Sequence, residues 1–170
     1  MQQQTVVRSA VSSKPYVVLV GLDFSEPALH ALRKALAYAA EREQVELHVA
    51  CIVPPEPASS HADPHWIVAE SAVIEGVFVS LRARVDAELA AFARVLRPQQ
   101  HLPKRVTPHV AVDSPALGLT ELAREIGADV ILIGAHGQGP ARETLGSVAK
   151  STLSLARCTV ILTRALPPAQ

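Results

Sequence analysis

Two short runs constrain this chain more than anything else in it: Tyr16–Leu22 (Y-V-V-L-V-G-L) and Asp129–Ile133 (D-V-I-L-I). Apart from the leading Asp129, both are apolar without interruption and rich in β-branched residues, with no alternation of apolar and polar. A strand of that kind has no face to turn toward water, so it belongs inside a sheet covered on both sides. Sheets covered on both sides are made of parallel strands joined by crossing helices, and those crossovers are right-handed.

The intervening segments supply the helices and three further strands. After the first run, Asp23-Phe24-Ser25-Glu26-Pro27 reads as a helix start, with Ser25 as N-cap and Pro27 in the first turn, where its missing N–H costs nothing. An Ala- and Leu-rich helix follows, A-L-H-A-L-R-K-A-L-A-Y-A-A-E-R-E. Val45–Val53 is a second strand, and His48 within it reads as a packed or hydrogen-bonded histidine of the sheet. Pro54-Pro55-Glu56-Pro57 stops that strand, and residues 58–69 read as a turn-rich loop anchored by Trp66. His61, Asp63 and His65 lie close together there, but no third or fourth ligand at a recognisable spacing supports a metal site.

Ser71 to Leu96 reads as a long amphipathic helix, with Val77, Leu81, Val85, Leu89, Phe92 and Leu96 on its apolar stripe. Arg82, Arg84, Asp86, Glu88 and Arg94 form a solvated flank. Arg105–Val112 is a third strand, and Pro108 inside it predicts an edge position. Asp113-Ser114-Pro115 is expected to cap a helix that ends at Gly127. The strand Asp129–Ile133, a glycine loop, a helix from Ser147 to Ala156 and a last strand, Thr159–Arg164, complete the pattern. The reading is therefore α/β, a doubly wound, Rossmann-like sheet of five parallel strands with helices on both faces. One domain spans 15–165, between a flexible N-terminal segment (1–14) and a flexible tail (166–170).

The chemistry gathers at Ile131–Ser147, I-L-I-G-A-H-G-Q-G-P-A-R-E-T-L-G-S. A strand stops at Gly134, glycines 134, 137 and 139 punctuate the loop, and Gly146-Ser147 opens a helix. That order places backbone N–H groups where they can meet an anion, and glycines let the main chain approach a phosphate closely. Ligands of parallel sheets bind beyond the carboxyl ends of the strands, where the winding reverses. If the first and fourth strands are neighbours, Gly21-Leu22-Asp23 faces the same crevice.

Composition excludes other classes. Sixteen basic and sixteen acidic residues cancel, and only six aromatics are present, which leaves no electrostatic or stacking platform for nucleic acid. No apolar stretch approaches the ~20 residues of a membrane span, and the N-terminus does not resemble a signal peptide. Cys51 and Cys158 read as buried thiols in a reducing compartment, so a cytoplasmic location is expected. The lysine of a P-loop, a serine nucleophile elbow and paired-cysteine zinc spacings are all missing. His136 could act as a base, but no carboxylate or metal motif is paired with it.

Taken in order, G-A-H-G, a spacer, G-S-V-A-K-S and A-R-C-T-V-I-L-T-R resemble the C-terminal signature of the universal stress protein family. V-G-L-D-F-S-E and L-H-V fit the same family, so the resemblance runs from about Tyr16 to Arg164. It implies the strand order 3-2-1-4-5, as in adenine nucleotide alpha hydrolase-like folds. It also implies ATP, alone or with Mg2+, in a crevice between the first and fourth strands. Asp23 would accept a hydrogen bond from the adenine or ribose region, and the backbone of Val49 would contact the base. Leu22 and Ile133 would line the nucleoside pocket. Gly134, Gly137, Gly146, Ser147 and Val148 would surround ribose and phosphates.

The ATP-binding branch carries nine residues between Gly137 and Gly146, whereas this chain has eight, Gln138–Leu145. Arg142 in that spacer could pair with a phosphate or stand as a solvated loop charge. The leading expectation is an ATP-binding, nucleotide-responsive stress regulator with a protein partner that the sequence does not name. A dimeric interaction module that binds no nucleotide is one alternative; slow ATP hydrolysis or self-phosphorylation at Ser147 or Ser151 is another. The alternating fifth strand would be an exposed edge that pairs with its copy in a homodimer, as the family commonly does.

Overall fold

Strand and helix alternate along the whole chain, and each element starts where local chemistry starts it. The computed structural model describes residues 14–55, 64–136 and 144–164, with the backbone alone for 64–70. The elements are β1 (Tyr16–Gly21), α1 (Glu26–Ala40), β2 (Val45–Val53), α2 (Pro64–Ala93), β3 (Arg105–Val112), α3 (Pro115–Ile126), β4 (Val130–Gly134), α4 (Ser147–Leu155) and β5 (Thr159–Thr163). Ser25 caps α1 as predicted, its Oγ accepting from the N–H of Ala28 at 3.3 Å. At α3 the expected side-chain cap is not made. Ser114 makes no side-chain cap bond; instead Asp113 Oδ1 accepts from the Ser114 N–H at 2.6 Å. Gly127 ends α3 at φ 63°, a left-handed turn that glycine adopts without steric cost.

The five strands are all parallel, in the order β3-β2-β1-β4-β5. Pro108 therefore lies on an edge strand, as its sequence predicts. β1 and β4 are neighbours at the point where the winding reverses, with Val18, Leu19 and Val20 in register with Val130, Ile131 and Leu132. The uninterrupted apolar runs are explained by two cores. Val18, Val20, Leu47, Val49, Val130 and Leu132 pack against α1 and α2, whereas Leu19, Ala50, Ile131 and Ile133 pack against α3 and α4. Leu19 and Ile131 are fully buried, and at roughly 25 cal/mol per Å2 of apolar surface such side chains dominate the stabilisation.

Three sequence expectations need correction. Residues 64–69, read as loop, form the first turns of α2, which begins at Pro64 rather than Ser71; His61 and Asp63 lie outside the described residues. That helix stops at Ala93, where Val95 N–H turns back to the Phe92 carbonyl at 3.0 Å, so Leu96 leaves the stripe. Glu88, assigned to the solvated flank, instead accepts a two-pronged bond from Arg33 of α1: Nε to Oε2 at 2.9 Å and Nη2 to Oε1 at 2.8 Å. The rest of the stripe is as read, with Leu81 and Val85 buried and Val77, Leu89 and Phe92 packed on the core.

At the end of the sheet where the strands begin, Asp129 pins β1 to β4. Its Oδ2 accepts from Val17 N–H at 2.8 Å, and its own N–H donates to the Val17 carbonyl at 2.9 Å. β4 thus begins one residue later than the apolar run suggested, because Asp129 serves as its anchor. Cys51 and Cys158 are both free, Cys51 buried and Cys158 half-buried. No helix among the described residues is long and apolar enough to cross a membrane.

Candidate functional site

Two loops leave the carboxyl ends of the adjacent strands β1 and β4, and packing locks their bases together. Gly134 ends β4 against the start of α1: a Cβ there would lie 3.0 Å from the Pro27 carbonyl carbon and 3.1 Å from the His136 oxygen. A side chain would force the two loops apart. Leu22 and Ile133, predicted to line a nucleoside pocket, are 3% and 4% exposed and lie at the ends of these two strands.

Asp23 is exposed at the tip of the β1 loop. Its Oδ1 accepts from both the N–H (3.0 Å) and the hydroxyl of Ser25, and Ser25 in turn caps α1. The carboxylate is thereby fixed on a rigid turn. Between them stands Phe24, a non-glycine residue at φ 62° that is 37% exposed; a left-handed backbone costs on the order of 1 kcal/mol at a residue of this kind.

Val49 is in register with Val20 and wholly buried, its side chain in the core beneath α1 and α2. Only its main chain can meet a ligand, as the resemblance implies. Leu22 N–H donates to the Ala50 carbonyl at 2.8 Å, which extends the β1–β2 ladder up to the base of the Asp23 loop. Sequence reasoning missed Cys51 here. Burial first, and then the nearby Asp23 charge, push its thiol above the ordinary range, so the two side chains share one neighbourhood. The available signal was the register, since a residue two beyond Val49 rises to the level of Leu22.

On the other side, Gly146 is the N-cap of α4 and Ser147 its first residue. A glycine cap has no side-chain acceptor, and the first turn carries no acidic residue. Ser147 and Val148 are exposed. The helix therefore offers its positive N-terminal end to whatever lies above β4. Gly146 N–H donates to the Ala135 carbonyl at 2.9 Å, and Ala135 N–H donates to the Thr163 carbonyl at 2.8 Å, so both ends of the loop are tied to the sheet. His136 follows at once, and its Nδ1 is buried with no hydrogen-bond partner among the described residues. Gly137, Gly139 and Arg142 lie outside the described residues. The structure thus gathers Leu22, Asp23, Ile133, Gly134, Gly146, Ser147 and Val148 around the β1–β4 switch point. Two cavities lie elsewhere, about 340 Å3 beside Leu117, Arg157 and Cys158 and about 590 Å3 beside Phe78, Pro108 and Val110.

The sequence model of the Universal stress protein family matches residues 17–164. The chain belongs to that family. A universal stress protein structure from Burkholderia pseudomallei is 30% identical, with 88% of this chain and 96% of that one covered at a TM-score of 0.58. A universal stress protein solved in complex with cAMP is 24% identical over 89% and 99%, TM-score 0.64. One from Archaeoglobus fulgidus, in complex with dAMP, is 20% identical over 88% and 97%, TM-score 0.51. No curated protein sequence matches the chain.

Proposed function

We propose that this universal stress protein binds an adenine nucleotide, with ATP as its ligand, in the crevice between β1 and β4, and that occupancy regulates its association with a protein partner. The observation that carries this reading is the open N-terminus of α4, capped only by Gly146 and tied to the end of β4 through the Gly146–Ala135 bond. An anion is the natural complement of such an end. The buried Nδ1 of His136, without a partner among the described residues, is a second polar atom that a ligand group would satisfy. Two fold relatives, solved in complex with cAMP and with dAMP, support the adenine class without choosing among its phosphates.

The residues fit such a group. Asp23 would receive a ribose or adenine donor, Leu22 and Ile133 would form the apolar floor, and the Val49 main chain would meet the base. Gly134, Gly137, Gly146, Ser147 and Val148 would surround the phosphates. Any Mg2+ would arrive on the triphosphate, because no cluster of three or more His, Cys, Asp or Glu side chains among the described residues could hold it. Titration calorimetry with ATP, ADP, AMP and cAMP tests the proposal. The expected result is saturable binding in the micromolar range for ATP, weakened at least several-fold by Asp23→Ala and by Gly137→Val. Absence of heat and of saturable competition by every adenine nucleotide would refute it.

A second reading, in which the fold acts chiefly as a dimeric interaction module, draws on β5. Val160, Ile161 and Leu162 are only half-buried on that edge strand, and an open edge is a template for a second copy. A homodimer through β5 is compatible with either reading, and sedimentation at tens of micromolar measures it.

A further inference from the structure

Glu46, His48 and His109 make a continuous polar line on the face of the sheet that α3 covers, across the strands β2 and β3. His48 is 8% exposed and His109 half-buried. His48 is in register with Thr107 and His109 with Ala50, so the two histidines are diagonal neighbours on adjacent strands. His48 Nδ1 and His109 Nε2 lie 2.8 Å apart, with ring centroids 5.0 Å apart and planes 20° from parallel. The centroid spacing exceeds the N···N distance by about one ring radius at each end. The rings therefore meet head-on and nearly coplanar, one N–H aimed at one lone pair, rather than face to face.

The far side of His48 sets the direction of that bond. Its Nε2 lies 3.8 Å from Glu46 Oε2, and that charge favours the tautomer of neutral His48 with its proton on Nε2, toward the carboxylate. Nδ1 is then the acceptor, and His109 donates from Nε2. Between the two register pairs lies Val49 opposite Pro108, and proline has no backbone N–H to give. The imidazole bond thus crosses between the strands at the register of Pro108.

We propose that Glu46, His48 and His109 form an acid-released clasp, which holds edge strand β3 on β2 at neutral pH and loses its hold as the two imidazoles become protonated. Full protonation removes the acceptor lone pair and turns two N–H groups and two positive charges toward each other. The surroundings oppose that state. Burial lowers the pKa of both rings; Arg105 on β3 lowers that of His48 further, and His48 that of His109, while Glu46 acts in the opposite direction on His48. From the other packed elements come Leu19 of β1, in register with His48, and, beside His109, Glu75 of α2, which lines the same cavity with Ser71, Ile74 and Phe78.

A base whose folded pKa lies below its unfolded value contributes stability that is complete above the unfolded value, about 6.5 for histidine. That contribution is lost as pH falls below it, because the unfolded chain takes up protons that the folded pair resists. The clasp does not depend on nucleotide binding.

The test compares the full-length protein with His109→Gln, which keeps an N–H donor but cannot titrate, and with His109→Thr, a strand former. Urea midpoints at about pH 7.5 and about pH 5.5 are expected to fall markedly more for the wild type than for either variant. Amide exchange, corrected for the intrinsic rate at each pH, is expected to rise in β3 at the lower pH while β1 and β4 stay protected. Imidazole NMR of the wild type is expected to show two coupled titrations, both below the ordinary histidine range. Equal pH dependence in wild type and variants would overturn the clasp. So would an ordinary titration of His48 in the wild-type spectrum, a measurement that stands even if a variant does not fold.

Discussion

The sheet has two edges, and they are finished in opposite ways. At β3 the edge carries Pro108 and an exposed Arg105, α2 packs along it, and the His48–His109 bond ties it inward. At β5 the strand T-V-I-L-T has no proline and no charge, and its three central apolar residues remain half-buried. Prolines and charges are the usual means of stopping a sheet from growing. The chain applies them at one edge and omits them at the other, which leaves β5 as the edge open to the strand pairing proposed above.

The comparison breaks most clearly if one substitution behaves alike at both edges. Thr159→Lys and Ala111→Lys each place a lysine at an exposed position, one on β5 and one on β3. Sedimentation is expected to show the first halving the mass of a dimer and the second leaving it unchanged. Next in size is the contrast between the centre of the sheet and its closed edge. Leu19→Ala, at a position with no exposure, is expected to cost about 3–4 kcal/mol in urea unfolding, and Val110→Ala on β3 about 1 kcal/mol.

Smaller still is the link that fastens α2, the helix along the β3 edge, to α1. Glu88→Gln removes the charge opposite Arg33, whose side chain is 48% exposed, so solvent screening holds the expected loss to about 0.5–1 kcal/mol. The smallest effect is kinetic. Burial pushes both thiols above the ordinary cysteine range, so alkylation at neutral pH is expected to be slow at each. Cys158, half-buried just before β5, is expected to react before Cys51; the reverse order would argue that the β5 side is the better covered.

Much of this was legible in the chain. Uninterrupted Val-Ile-Leu runs require a doubly covered sheet, and Pro108 announces an edge. What escaped is what depends on partners distant in sequence. The start of α2 was obscured by the prolines before it, although Asp63-Pro64 is itself a helix-start pattern. Glu88 was placed on a solvated flank because nothing local reveals Arg33, 55 residues away. His48 was rightly placed in the sheet, but its partner His109 follows only from the register of β2 against β3. Cys51 entered the neighbourhood of Asp23 for the same reason, since strand register is a property of the pair and not of either strand alone.

The hydrogen bond from Gly146 to Ala135 has a consequence for how this loop can change over time. It closes the segment between them into a ring whose two fixed points belong to β4 and α4, independent of how many residues the ring contains. A one-residue change in the length of a closed loop of this size alters its closure entropy by only about 0.1 kcal/mol. A nine-residue spacer in place of this chain's eight is then expected to leave the helix end at Gly146 undisturbed, which amide exchange in α4 would check.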